Sequence, residues 1–281
     1  MQAGSFTIKD NSGLEADYEM MKFSGGEIQV RLSEDLINLG TENELIIYAH
    51  LTDSDKIMEL AMLMEAFEDN KLSSPSLVCP YVPYARQDRK MERGESIAIK
   101  EMARFINHLG FLSVEIWDPH SDVTVALIRR VEVVSQEVLV QRVPLDMRNI
   151  VLVSPDAGAM KKIGKVAKLT GCPVVEASKK RDTSTGEITG TVVHSDHVGD
   201  KDFLICDDIC DGGRTFTELA KELRPLTNGK IYLYVTHGIF SKKLDVFKGL
   251  IDHVYCAMVF PNVEKSDLLT ELNFNYDPTH N

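Results

Sequence analysis

Short apolar runs alternate along this chain with stretches whose apolar positions repeat at helical spacing. Leu45-Ile46-Ile47-Tyr48-Ala49 reads as a strand. Asp55 to Glu68 follows as a helix that gathers Ile57, Leu60, Ala61, Met64 and Phe67 near one face. Ser76-Leu77-Val78-Cys79 is the next strand; Ser96 is placed to cap a helix that Gly110 ends, and Val114-Glu115-Ile116-Trp117 is a strand running into Asp118-Pro119-His120. The cycle then restarts. Ile150 to Val153 is a strand, Ser154 to Gly158 a turn, and Met160 to Leu169 a helix closed by Gly171, with further strands at Phe203–Cys206 and Ile231–Val235. Strands alternating with helices predict an α/β fold built on mostly parallel sheets.

At 281 residues the chain fits two domains of ordinary size, and the restart near Pro144 divides it into 1–143 and 144–281. A net charge of −12 argues against general affinity for nucleic acid or an anionic membrane. An anionic substrate must then be held by locally placed cations and amides, so each Lys/Arg cluster carries information. No apolar run is long enough for a membrane span, and Met1 to Ser5 begins no signal peptide. The cysteines (Cys79, Cys172, Cys206, Cys210, Cys256) are odd in number and scattered, and no second ligand pair accompanies Cys206 and Cys210 to make a zinc site. They read as reduced thiols of a cytoplasmic protein.

The most informative stretch is Phe203 to Phe216. An apolar run ends in Asp207-Asp208, and Asp211-Gly212-Gly213-Arg214-Thr215 makes a tight turn that opens a helix. In an open α/β sheet, ligands sit beyond the carboxyl ends of the strands, and turn amides at a helix start cradle anions. Two acids beside such a cradle suit a ribose, whose vicinal hydroxyls donate to carboxylates while the turn holds a 5′-phosphate. The plainer reading is a strand that turns at an Asp, with Asp or Thr capping the helix.

Other strand ends are also polar. Arg86-Gln87-Asp88-Arg89-Lys90 follows Tyr81 and Tyr84, and arginines there can stack on a base or clamp phosphate; taken alone, a charge run is a solvated loop. His120 and Asp156 are candidate Mg²⁺ ligands, with phosphate oxygens and water completing the octahedron. Taken singly, each residue is more often a turn former or a hydrogen-bonded structural residue. Ser178-Lys179-Lys180-Arg181-Asp182 opens a polar stretch reaching Gly190 that reads as a mobile loop or a surface hairpin.

Together these segments resemble the ribose-phosphate pyrophosphokinases, the phosphoribosyl pyrophosphate synthetases. Tyr84 to Lys90 (YARQDRK), Arg93 to Lys100, Phe23 to Ile28, Val153 to Gly158, the 203–216 stretch and Thr236-His237-Gly238 stand in family order from about Met21 to Val259. The resemblance implies two tandem phosphoribosyltransferase-like domains, the first on the ATP side and the second on the ribose-phosphate side. It implies that Phe23 and Arg86 sandwich the adenine, with Glu27, Gln87 and Asp88 nearby. Phe23 and Glu27 would come from a neighbouring subunit of a homo-oligomer. His120 and Asp156 would bind Mg²⁺, and Lys179 and Arg181 would be the catalytic cations. Asp207 and Asp208 would hold the ribose, and Asp211, Gly212, Gly213, Arg214 and Thr215 its 5′-phosphate. The implied reaction transfers the diphosphoryl group of ATP to the 1-hydroxyl of ribose 5-phosphate.

Some residues depart from the family pattern. Gly25 stands where an Asp or Asn is usual, the final residues Leu272 to Asn281 lack the customary helical pattern, and Arg214 replaces a small or neutral residue in the phosphate loop. Arg214 motivates an alternative acceptor carrying more than a monophosphate, such as ADP-ribose. A non-catalytic regulatory homologue and a base phosphoribosyltransferase are the other readings. Retention of His120, Asp156, Lys179, Arg181, Asp207 and Asp208 argues against the first, and the Tyr84 to Lys90 segment argues against the second.

Overall fold

The computed structural model describes residues 2–181 and 188–274. They form two compact units, Met1–Val134 and Ser135–Phe274. In the first, the elements in chain order are β1 (Gln2–Ala3), β2 (Thr7–Asp10), β3 (Tyr18–Lys22), β4 (Ile28–Leu32), α1 (Glu34–Glu42), β5 (Leu45–Tyr48), α2 (Ser54–Asp69), β6 (Ser76–Val78), α3 (Ala98–His108), β7 (Val114–Trp117), α4 (Asp122–Leu127) and β8 (Val131–Val134). The main sheet has the order β2-β5-β6-β7-β8 and is parallel except for β2 at its edge. Ile47, Leu77 and Ile116 from this sheet share one core with Leu60, Leu63 and Phe67 of α2 and Ile99, Met102 and Ile106 of α3.

The α2 helix begins where Asp53 accepts the Lys56 amide at 3.0 Å. Its buried face is Leu60, Leu63, Met64 and Phe67 together with Glu59, a charged residue that hydrophobic periodicity assigns to solvent. Glu59 is 1% exposed because its carboxylate has an inward task. It accepts the Tyr18 hydroxyl at 2.7 Å and the Ser5 amide at 2.8 Å, while the same hydroxyl accepts the Ser5 and Phe6 amides at 3.1 Å each. Burial, and then the Glu59 carboxylate, push the Tyr18 phenol far above its ordinary value, so it stays a donor. This network ties β3 of the small antiparallel sheet β1-β3-β4 to α2. Ser96 does not cap α3: the cap position is Ile97, and no side chain caps that end.

The second unit contains α5 (Gln136–Leu139), β9 (Ile150–Ser154), α6 (Met160–Thr170), β10 (Val174–Arg181), β11 (Ile188–Val193), β12 (Asp202–Cys210), α7 (Arg214–Leu223), β13 (Ile231–Gly238), β14 (His253–Val259) and β15 (Leu269–Glu271). Its sheet runs β11-β10-β9-β12-β13-β14-β15, parallel except for β11 at the edge. The division falls before Ser135, earlier than Pro144, because β8 completes the first sheet against β7 while α5 packs on α6. Val153, Ile205, Leu233 and Val235 of the sheet meet Phe216, Leu219 and Leu223 of α7 in the second core. Gly171 ends α6 in the left-handed conformation, as expected for a helix C-terminus. The five cysteines are free and buried. Among the described residues, no helix is long and apolar enough to cross a membrane.

The Glu59–Tyr18 network sets a measurable cost. Tyr18→Phe leaves two amides and a buried carboxylate without the hydroxyl, and is expected to destabilise the protein by about 1–3 kcal/mol. Denaturant unfolding checks it; a variant as stable as the parent would show that the network contributes nothing.

Candidate active site

In the first unit, the polar residues occupy the turns after β6 and β7 and the β3–β4 hairpin. The main chain keeps its sheet ladder beyond β6: the Cys79 amide donates to Glu115 (2.9 Å) and the Trp117 amide to Pro80 (3.0 Å). The chain then turns sharply, with Tyr84 in the left-handed region (φ 64°) and the Gln87 amide donating to the Tyr84 carbonyl at 2.9 Å. Arg86 and Gln87 are thereby left exposed, and Tyr84 is partly exposed beside them. Burial pushes the Cys79 thiol up to about 12, so it is inert packing.

Asp88 is different. It is buried, and the Arg89 guanidinium grips both its oxygens, at 2.8 and 3.1 Å. That pairing first, with Ser121 and the His120 imidazole nearby, holds its carboxyl below the ordinary range against the opposing effect of burial. The structure therefore places Asp88 beside the His120 turn, inside the loop rather than on its surface. Asp118, two residues before His120, is 2% exposed and sits at φ 39°. A buried acid in a strained conformation at a strand end marks a functional turn, and the sequence reading passed over it. Phe23 and Glu27 sit at the tip of the β3–β4 hairpin, where the Phe23 amide donates to the Glu27 carbonyl at 2.8 Å; both side chains are exposed.

In the second unit, β12 continues past the apolar run, so Asp207 and Asp208 lie within the strand instead of beyond its end. Pairing with β13 persists from Phe203↔Ile231 to Cys210↔Gly238 and carries the acids in the ladder. Asp208 is 8% exposed, and its amide donates to Asp207 Oδ1 at 2.9 Å. Burial, then the charge of Asp208, with Asp156 also contributing, hold the Asp207 carboxyl well above the ordinary carboxylate range. Asp156 follows β9; its Oδ1 accepts the Gly158 amide at 2.9 Å and the Ala159 amide at 3.1 Å, fixing the turn into α6. Lys162 of α6 lies 3.4 Å from Asp208 Oδ2. This cation is a site residue that sequence reasoning missed; its signal is the Lys161-Lys162 pair that follows the Asp156 turn.

The loop of residues 211–215 follows β12 at the same end of that sheet. Gly213 has φ 76°, and a Cβ there would stand 2.7 Å from Phe247 Cζ, so only glycine fits. It occupies the cap position of α7, and no side chain caps that helix. The Phe216 amide donates to the Gly213 carbonyl at 3.1 Å, so the amides before it in the turn are the ones a ligand anion could engage. Asp211 is tied down by Ser241 Oγ at 2.6 Å. Arg214 is 87% exposed at its side chain and pairs with Glu218 one turn along α7 at 2.7 Å. Lys179 and Arg181 lie on β10, antiparallel to β11, with Lys179 opposite Thr191; the tip of the stretch between them, residues 182–187, lies outside the described residues.

The donor set suits a hard divalent cation. Three neighbouring carboxylates with one lysine leave an excess of negative charge on oxygen, the ligand Mg²⁺ prefers. Among the described residues, no three His, Cys, Asp or Glu side chains form a ready chelate. A cation held here would accordingly complete its shell with phosphate oxygens and water, as Mg²⁺ commonly does.

The family model for the N-terminal domain of ribose phosphate pyrophosphokinase matches residues 8–110, and the phosphoribosyl transferase domain model matches residues 126–254. The ribose-phosphate pyrophosphokinase of Thermococcus kodakarensis is 29% identical over 260 residues, covering 91% of this chain and 90% of that protein. The one from Pyrococcus furiosus is 26% identical over 269 residues, covering 94% of each. In fold, the chain is similar to the crystal structure of phosphoribosylpyrophosphate synthetase from Mycobacterium smegmatis, with a TM-score of 0.75 at 22% identity over 93% of this chain and 87% of that one. With both domains matched in order across nearly its whole length, the chain belongs to the ribose-phosphate pyrophosphokinase family.

Proposed function

We propose that this protein transfers the β,γ-diphosphoryl group of ATP to the 1-hydroxyl of ribose 5-phosphate, yielding phosphoribosyl pyrophosphate and AMP. The observation that carries the reading is the Asp207-Asp208 pair, with Asp208 buried, set on one strand that leads within five residues to a helix start at Gly213 with no side-chain cap. Carboxylates beside an anion cradle match a sugar phosphate and little else.

In this reading Asp207 and Asp208 accept hydrogen bonds from the ribose hydroxyls, while the amides of Gly212 to Thr215 hold the 5′-phosphate. Held so, the 1-hydroxyl oxygen attacks the β-phosphorus and gives up its proton to solvent, the bond from the β-phosphorus to the bridging α-phosphate oxygen breaks, and AMP leaves with that oxygen. Phe23 and Arg86 sandwich the adenine, Glu27 and Gln87 read its polar edge, and Asp88 keeps the loop closed against the His120 turn. Phe23 and Glu27 act from a neighbouring copy, which makes the active form a homo-oligomer. His120 of the first unit and Asp156 of the second are each candidate ligands that would hold Mg²⁺, which would neutralise charge on the triphosphate oxygens. Lys179 and Arg181 meet the negative charge that develops around the β-phosphorus. Arg214 is occupied by Glu218 on the exposed side of α7, which removes the motive for a larger acceptor.

AMP is expected from ATP only when ribose 5-phosphate and Mg²⁺ are both present, and EDTA should stop it; chromatography of the nucleotides checks this, and AMP formation without the sugar phosphate would exclude the reaction. Lys179→Ala should lower kcat by about 10³-fold, with a fall below tenfold contradicting its role. Asp207→Asn should raise KM for ribose 5-phosphate by roughly tenfold and also raise the melting temperature of the ligand-free protein. The sign follows from the elevated carboxyl: below the ordinary carboxylate range both folded and unfolded chains are protonated, and as pH rises the unfolded chain ionises first. The folded protein thus loses stability from there up through the raised value, and the gain from Asp207→Asn should be present at pH 7 and vanish near pH 4. An equal or lower melting temperature at pH 7 would refute it.

A further inference from the structure

The chain leaving β13 is fastened along the phosphate loop. The Ile239 and Phe240 amides both donate to the Cys210 carbonyl, at 2.9 and 3.1 Å, and the Ser241 amide donates to the Asp211 carbonyl at 3.1 Å. The Lys243 amide then donates to the Phe240 carbonyl at 2.8 Å, closing a turn with Ser241 and Lys242 at its centre. Ser241 Oγ adds its bond to Asp211 Oδ1. Lys242 is therefore presented in a fixed register, and its Cγ stands 3.6 Å from the position a Cβ would take on Gly212. Its stem crosses the one glycine of the loop that faces it, and two more methylenes and the ammonium extend beyond.

The neighbouring cations are already engaged. Lys243 pairs with Glu264 at 2.9 Å, Lys248 with Asp245 at 2.7 Å, and Arg214 with Glu218. Among the described residues Lys242 forms no ion pair, although the chain carries twelve more acidic than basic side chains, 43 against 31. A lysine without an ion pair among the described residues thus has its stem beside Gly212, next to the helix start that no side chain caps. The amides fix where the phosphate sits but supply only partial charge; a full positive charge from a separate strand connection complements a phosphate monoester dianion.

We propose that Lys242 is a substrate-binding residue that closes over the 5′-phosphate of ribose 5-phosphate at the Gly212–Thr215 amides. This rests on the reading of that loop given above. The contact is made to the end of the sugar remote from the reacting hydroxyl, so it contributes equally to the ground state and the transition state. It governs KM and leaves kcat alone.

Steady-state kinetics and calorimetry on the full-length protein test it. Lys242→Met should raise both KM and Kd for ribose 5-phosphate by about tenfold, the loss of one charged hydrogen bond. Its kcat and its KM for ATP should stay within about twofold, and Lys242→Arg should recover most of the loss. Lys243→Met, which removes a lysine already paired to Glu264, should match the parent. A Lys242→Met protein with unchanged KM and Kd overturns the proposal, as does one in which kcat falls while KM holds. The two readings fail separately: if the parent binds ribose 5-phosphate without releasing AMP, the transferase activity fails, and Lys242 is still judged by the calorimetric Kd. If the parent does not bind ribose 5-phosphate at all, both are overturned.

Discussion

Two adjacent acids are forced together near the end of a central strand, where each disfavours the other's charge, and the rest of the second unit is organised around that fact. β12 pairs with β9 as far as Ile205 and with β13 on to Cys210, so the acids follow the point where one neighbour ends. Asp207 and Asp208 remain in the strand there, with the Asp208 amide on Asp207 Oδ1 and Lys162 at 3.4 Å from Asp208 Oδ2. Such an arrangement costs stability when empty. It becomes favourable when hydroxyl donors or a cation arrive, which is how a binding site stores preference for a ligand in its own electrostatics.

The adjoining loop supplies the complementary sign. Gly213 is admitted by a left-handed conformation and by the Phe247 ring, which leaves no room for a side chain. The helix that follows is anchored by Phe216, Leu219 and Leu223, so its uncapped start is rigid. Acids and loop amides within nine residues of one another, 207 to 215, fit a molecule with hydroxyls at one end and a phosphate at the other. In the first unit, the turns after β6 and β7 are likewise held by ladder bonds that outlast the strands. Exposed Arg86 and Gln87 are carried there on a loop that buried Asp88 locks from beneath.

Much of this was legible in the sequence because strand and helix periods differ sharply, as Leu45–Ala49 and Asp55–Glu68 show. The parallel α/β character, the Asp156 turn and the 203–216 motif all follow from local pattern. What escaped depends on tertiary partners. Glu59 reads as a solvated helix residue until Tyr18 and the Ser5 amide, more than forty residues away, give its carboxylate donors. Asp88 reads as part of a solvated charge run until Arg89 and the His120 turn enclose it. The strand β12 was cut short because paired acids look like a strand end, whereas pairing with β13 carries the ladder to Cys210. Lys162 and Lys242 lie among several similar lysines, and only geometry separates them.

A crystal structure of the protein with ribose 5-phosphate tests the central claim most directly. The account predicts ribose hydroxyl oxygens within about 3 Å of the carboxylates of Asp207 and Asp208, with the phosphate on the amides of Gly212 to Thr215. A sugar phosphate bound with its phosphate elsewhere, or with its hydroxyls turned away from both acids, would contradict it.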